Sequence, residues 1–218
     1  MGIVAAISDL LFPPRCIFCR RLLRRGASGA CESCLSSLTG DVRVRMGSWF
    51  SLCVVPMDYA GPVRDAILRF KFEDQPGYAT AFGRILAESI REHLAGEYDL
   101  ITWVPVSARR LRKRGYDQAM LLAMAAALEL QDVAVETLEK QADNPAQSAM
   151  QSAEARRSNV LGAYRVPDPE LVAGKRVLLI DDIITTGATL EEASHTLRQA
   201  GAAKVLAAAL AQPLEEDN

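Results

Sequence analysis

The stretch RVLLIDDIITTGATLEEA, residues 176–193, decides how the rest of the chain is read. Residues 177–180 are a continuous apolar run, as a strand buried on both faces requires. The run meets two adjacent carboxylates, Asp181 and Asp182, and soon after them five small residues: Thr185, Thr186, Gly187, Ala188 and Thr189. A helical pattern follows at once. Two like charges at the end of an apolar strand are costly unless something uses them. In parallel sheets, ligands bind beyond the carboxyl ends of the strands. Gly187 permits close backbone approach, and N–H groups at a turn entering a helix form an anion site suited to phosphate. The Thr hydroxyls add donors, and neighbouring carboxylates accept hydrogen bonds from sugar hydroxyls. Together these features suit a ribose 5-phosphate. The competing reading, a Thr-capped helix beside solvated aspartates, leaves the tandem acids on a buried strand unexplained. Neither G-x-x-x-x-G-K-[ST] nor G-x-G-x-x-G occurs, which removes the Walker-type and dinucleotide-binding alternatives.

Around this stretch, apolar strand patterns alternate with helical ones. LCVVPM (52–57), LITWVPV (100–106), VAVETL (133–138), RVLLID (176–181) and KVLAAAL (204–210) read as strands. PVRDAILRFKF (62–72), YATAFGRILAESIREHL (78–94), QAMLLAMAAALEL (118–130) and TLEEASHTLRQAG (189–201) read as helices, the last closed by Gly201. The alternation predicts an α/β fold: a parallel sheet covered by helices on both faces. Residues 140–170 form a long polar connection with Pro145, Pro167 and Pro169, read as a hood or binding loop over the site. His93 and His195 fall in helical patterns away from any constellation and are given no catalytic role.

The N-terminal segment differs in chemistry. Residues 1–45 carry seven Arg against three acids, a balance of +4, which leaves −6 for the remainder of a chain of net charge −2. Four of the five cysteines form CIFC and CESC: Cys16, Cys19, Cys31 and Cys34. Two C-x-x-C pairs supply the four thiolates that tetrahedral structural Zn²⁺ prefers. Their spacer is shorter than the usual 15 to 20 residues, which small knuckles tolerate. It is also too polar and glycine-rich to fold without metal. A redox dithiol is the alternative, although such motifs generally come singly at a helix start. Four thiolate ligands leave no open position for a catalytic metal. Cys53, in an apolar run, is expected to be a buried strand residue. The arginines around the knuckle suit nucleic-acid phosphates or a solvated face.

The opening MGIVAAISDLLF lacks a basic start and a cleavage site, and no run is long enough to span a bilayer, so a cytoplasmic location is expected. Its apolar residues share one helical face and read as a short packing helix. The division expected is residues 1–45 as helix and four-cysteine zinc module, then 46–218 as the α/β domain.

VLLIDDIITTGATL resembles the phosphoribosyl-pyrophosphate (PRPP) signature of type I phosphoribosyltransferases: an apolar strand, two acids, then T-T-G-x-T. The paired C-x-x-C elements, LRFKFED at 68–74, VPVSARRLRKRGYDQA at 104–119 and QSAMQSAEARRSNVLGAY at 147–164 stand in the order seen in ComF-family proteins, and the resemblance covers nearly the whole chain. These are competence-associated proteins with a zinc module and a phosphoribosyltransferase domain. The resemblance implies PRPP and Mg²⁺ as ligands. Residues 185–189 would hold the 5-phosphate, and Asp181 and Asp182 the ribose. Arg109, Arg114 and Lys71 would meet the pyrophosphate, with Arg156 and Arg157 as further cations. It also implies a role in DNA uptake, with DNA or competence-machinery proteins as partners. Two departures stand out: RGYDQ carries Asp117 where the family usually has Asn, and NPAQS replaces a Thr-x-x-Gln lead-in.

Overall fold

The computed structural model describes residues 13–24, 29–141 and 162–214. In chain order its principal elements are α1 (Glu32–Leu38), β1 (Arg43–Arg45), β2 (Cys53–Val55), β3 (Met57–Asp58), α2 (Gly61–Phe72), α3 (Tyr78–His93) and β4 (Leu100–Trp103). There follow α4 (Ala108–Arg114), α5 (Gln118–Leu130), β5 (Glu139–Lys140), β6 (Tyr164–Arg165), β7 (Arg176–Ile183), α6 (Ala188–Gln199) and β8 (Lys204–Gln212). The main sheet runs β1-β2-β8-β7-β4, with β3 also paired to β8. All of its pairings are parallel except β1 on β2.

Apolar residues on both faces of the central strands explain the layering. Along β7 the pleat alternates, so Leu178 and Ile180 join one core while Val177 and Leu179 join the other. The first core is filled by α2, α3 and α5 through Ile67, Phe70, Phe82, Leu86, Ile90 and Leu122. The second is closed by α6 through Leu190, Ala193 and Leu197. Where α3 meets α5, Gly83 has no room for a side chain, since a Cβ there would lie 2.4 Å from that of Ala125. The two backbones therefore approach as closely as glycine allows. Among the described residues, no helix is long and apolar enough to cross a membrane.

The doubly covered sheet was legible in the sequence, with two corrections. Residues 133–138 do not form a full strand: Ala134 makes a single parallel bridge to Ile101, and Thr137 bonds Thr102 across it at 2.8 Å. The sheet is also not wholly parallel, because the short Arg-Val-Arg of β1 adds an antiparallel edge. The long connection begins and ends on an antiparallel pair, β5 with β6. Residues 142–161, including Arg156, Arg157 and the NPAQS stretch, lie outside the described residues, as does the apolar opening segment through residue 12.

The four-cysteine module leans on the first core. Cys16, Ile17 and Phe18 are buried there, and Phe18 meets Phe82 edge-on at 6.1 Å between ring centres. Arg69 of α2 donates to the Ile17 carbonyl at 2.7 Å. The module is therefore packed against α2 and α3.

Candidate functional site

The site is built at the carboxyl edge of β7. The ladder continues through the acids, Asp181 opposite Ala209 and Ile183 opposite Ala211, so both carboxylates stand on the strand itself. The pleat sends them to opposite faces. Asp181 points with Val177 and Leu179 toward α6, and Asp182 points with Leu178 and Ile180 toward α2. Lys71, in the last turn of α2, meets Asp182 at 2.9 Å, with both side chains mostly buried. Asp181 lines a shallow cleft with Thr185, Gly187, Ala188 and Thr189.

Electrostatics separate the two acids further. Burial is the main cause that pushes the Asp181 carboxyl up to about 8, and the charge of Asp182 adds to it. The Asp182 N–H, which donates to Asp181 at 2.8 Å, and the charge of Lys71 pull the other way without cancelling the rise. An acid whose folded value lies above its unfolded one favours the protonated folded state, so its contribution to stability falls as pH rises. We therefore expect wild type to lose stability relative to Asp181→Asn between about pH 4 and pH 8, by on the order of a few kcal/mol. Thermal unfolding of both proteins across that range checks it; parallel curves would mean that Asp181 ionises freely.

The turn that follows adopts the conformation its residues permit. Gly187 is the N-cap of α6 at φ 82°, ψ −5°, in the left-handed region that favours glycine. As a glycine it offers no side chain to cap this helix. Thr186 Oγ1 accepts from the Ala188 N–H at a long 3.4 Å, so a full Thr cap is not formed. The first-turn N–H groups of a twelve-residue helix thus face the cleft beside Asp181.

The cations divide. Lys71 and Arg114 come to the acids: Arg114 is half-buried, lies 4.9 Å over the Phe72 ring, and donates to Gln118 at 2.6 Å. Burial lowers its guanidinium from the ordinary value, and the charge of Asp182 opposes that shift, which places the two in electrostatic reach. Arg109 is exposed on α4.

Four residues at this edge were not singled out by sequence for the parts they play. Asp117 is buried, caps α5 by accepting from the Met120 N–H at 3.1 Å, and takes the Val106 N–H at 2.8 Å. An acid just before a helical run was the available signal. Its carboxyl is raised by burial, against the pull of these N–H donors. Tyr164 is buried near Asp181, and its phenol is pushed up by burial and then by that charge. Arg45 donates to the Thr185 carbonyl at 2.7 Å, and Glu191 takes the Ser48 and Trp49 N–H groups at 2.7 and 2.9 Å. His93 bonds the Ser89 carbonyl and His195 stacks on Trp49, consistent with packing roles.

The cysteines form the second site. The sulfurs of Cys16, Cys19, Cys31 and Cys34 all lie within 4.8 Å of one another, and those of Cys19 and Cys31 are 3.7 Å apart. Tetrahedral Zn–S bonds of about 2.3 Å place sulfurs about 3.8 Å apart, so the cluster fits Zn²⁺. A hydrogen bond from Ser33 is the main cause that lowers Cys31 to about 6, while burial and then neighbouring sulfurs raise Cys34. Several thiolates at this spacing need a cation between them. Cys53 is apart from them, fully buried in β2, with burial pushing its thiol up to about 12.

Comparison with known proteins matches two parts of the chain to domain families. Residues 115–217 match the Phosphoribosyl transferase domain family, and residues 7–45 match the Double zinc ribbon domain family. Competence protein F of Haemophilus influenzae is 28% identical, aligned over 88% of this chain and 93% of its own. DNA utilization protein YhgH of Escherichia coli K12 is 27% identical over 90% of this chain and 96% of its own. Among solved structures, adenine phosphoribosyltransferase from Saccharomyces cerevisiae is 18% identical, covers 85% of this chain and 90% of its own, and has a TM-score of 0.44. With a match to the double zinc ribbon domain ahead of a match to the phosphoribosyl transferase domain, and likeness to competence protein F along most of its length, this chain is similar to ComF-family proteins from its cysteine module to its last strand.

Proposed function

We propose that this protein binds PRPP at the β7–α6 turn and serves DNA uptake in the cytoplasm. One observation carries the reading. A buried acid at a sheet's carboxyl edge adjoins a helix N-terminus whose N-cap is glycine, and its neighbour on the other face is paired to a lysine. Residues 185–189 hold the 5-phosphate through backbone N–H groups and hydroxyls. Asp181 and Asp182 accept the ribose hydroxyls. Mg²⁺ arriving with PRPP supplies charge neutralisation to the pyrophosphate. Lys71, Arg114 and Arg109 supply the protein's cations for that group, Arg109 by a movement of the exposed α4. Because Lys71 is engaged with Asp182 before ligand arrives, its transfer to pyrophosphate accompanies the hand-over of Asp182 to the sugar.

We assign the role of a hood to residues 140–170, of which 142–161 lie outside the described residues, and to residues 1–45 that of a zinc-bearing module that docks DNA or competence-machinery proteins. Four described arginines around the cysteines, at 15, 20, 21 and 24, give it the charge for such partners.

Whether PRPP is consumed or only sensed divides two readings. Departure of pyrophosphate from the anomeric carbon leaves an oxocarbenium-like centre that a nitrogenous acceptor captures. Phosphoribosyl transfer is the reading we favour. Pyrophosphate release from PRPP and Mg²⁺, screened across nucleobases and other nitrogen acceptors, tests it. Acceptor-dependent release supports an enzyme. Saturable PRPP binding without release under every acceptor leaves a ligand-sensing accessory protein.

A further inference from the structure

The chain that leaves the four-cysteine module makes three ties to the turn after β7 and to α6. Arg45, the last residue of β1, donates to the Thr185 carbonyl at 2.7 Å. The Glu191 carboxylate accepts the Ser48 and Trp49 N–H groups at 2.7 and 2.9 Å. The Trp49 ring lies 4.2 Å from that of His195, tilted by 41°. Space around them is full. A Cβ on Gly47 would come within 2.6 Å of Glu191 Oε1 and 2.5 Å of the Phe50 ring, so this position holds glycine for close approach. Arg45 is in turn fixed by β1, where it pairs with Cys53 of β2.

A trans peptide is planar, with its C=O and N–H pointing in opposite directions. Gripping the Thr185 oxygen therefore fixes the direction of the Thr186 N–H. A turn carbonyl that rotated toward a bound phosphate would repel it, whereas one held back by a guanidinium leaves the donor side free. The same cation adds positive potential beside the cradle.

We propose that Arg45 is a positioning residue of the phosphate cradle, holding the Thr185–Thr186 peptide so that its N–H faces the anion. The inference rests on residues 185–189 as a phosphate site, but the order that Arg45 imposes on the turn is measurable without ligand. It makes the N-terminal edge strand a working part of the site.

Hydrogen exchange on the full-length protein, with wild type, Arg45→Ala and Arg45→Lys, is the test, followed by titration with ribose 5-phosphate. In ligand-free Arg45→Ala, amides of residues 184–189 are expected to exchange about tenfold faster, with those of 204–212 unchanged. Ribose 5-phosphate affinity should fall about fivefold to tenfold, and Arg45→Lys should recover much of both effects. Exchange at 184–189 within twofold of wild type overturns the proposal. So does a uniform rise that includes 204–212, which would mark Arg45 as a general fold residue. If wild type takes up no ribose 5-phosphate, the PRPP reading fails alone, and the exchange pattern still decides whether Arg45 orders the turn.

Discussion

Replacing Asp181 and Asp182 together by alanine is expected to weaken PRPP binding by at least about 100-fold. Asp182 offers charge-assisted hydrogen bonds worth about 1.5–3 kcal/mol each, Asp181, held protonated below about pH 8, offers neutral ones of about 1 kcal/mol each, and the substitution removes both. The geometry makes the two losses different in kind. Asp181 shares its cleft with the helix N-terminus, so its loss removes a sugar contact beside the phosphate. Asp182 holds Lys71, so its loss also frees a mostly buried lysine from its partner. Effects on folding oppose one another: removing the buried Asp181 carboxyl relieves a cost, and stranding Lys71 adds one. The variant should therefore stay folded while its affinity collapses, which calorimetry and circular dichroism on the same sample establish. A folded variant that binds PRPP as wild type does places the ligand elsewhere.

Cys16→Ser is expected to release the metal and to lower the melting temperature by about 10 °C or more. Wild type should carry about one zinc per chain, held by Cys16, Cys19, Cys31 and Cys34. The cost reaches beyond the module because Cys16, Ile17 and Phe18 belong to the first core. Unfolding the knuckle takes Phe18 off Phe82 and strips the Ile17 carbonyl from Arg69, whose Nε is already buried without a partner among the described residues. A buried group left unpaired then adds to the lost apolar contact. Metal analysis with thermal unfolding, with and without chelator, measures both effects. A zinc-free variant that melts like wild type would show that the module folds on packing alone.

Much of this was legible in the sequence because burial leaves a continuous apolar signature. The strands expected at 176–181 and 204–210 appear as 176–183 and 204–212, lengthened at their carboxyl ends where polar residues remain in the ladder. The edge strand Arg43–Arg45 was invisible, since three residues with two arginines carry no strand pattern. VAVETL had the right composition, yet Val133 is exposed and only Ala134 bridges to the sheet. Of the candidate site, motif spacing named Asp181, Asp182 and the small-residue turn, and the family resemblance added Lys71. It could not give the pairing of Lys71 with Asp182, because residues 111 positions apart meet only through the fold. The same holds for Arg45 and Thr185, separated by 140 positions. Asp117 reads in sequence as a lost amide donor, whereas its buried carboxylate serves as a cap that needs no amide. The tandem acids read as one grip, and the pleat divides them between the two faces of the sheet.

The most direct measurement of the central claim is calorimetric titration of the wild-type, zinc-loaded protein with PRPP in the presence of Mg²⁺, alongside ribose 5-phosphate and pyrophosphate. One site per chain is predicted, with PRPP bound more tightly than either fragment, since it engages the phosphate cradle and the cations together. Ribose 5-phosphate should compete with PRPP, and Asp181→Ala/Asp182→Ala should abolish the signal of both. Absence of PRPP binding, or binding that survives the double substitution, would contradict the assignment of residues 181–189 as the ligand site.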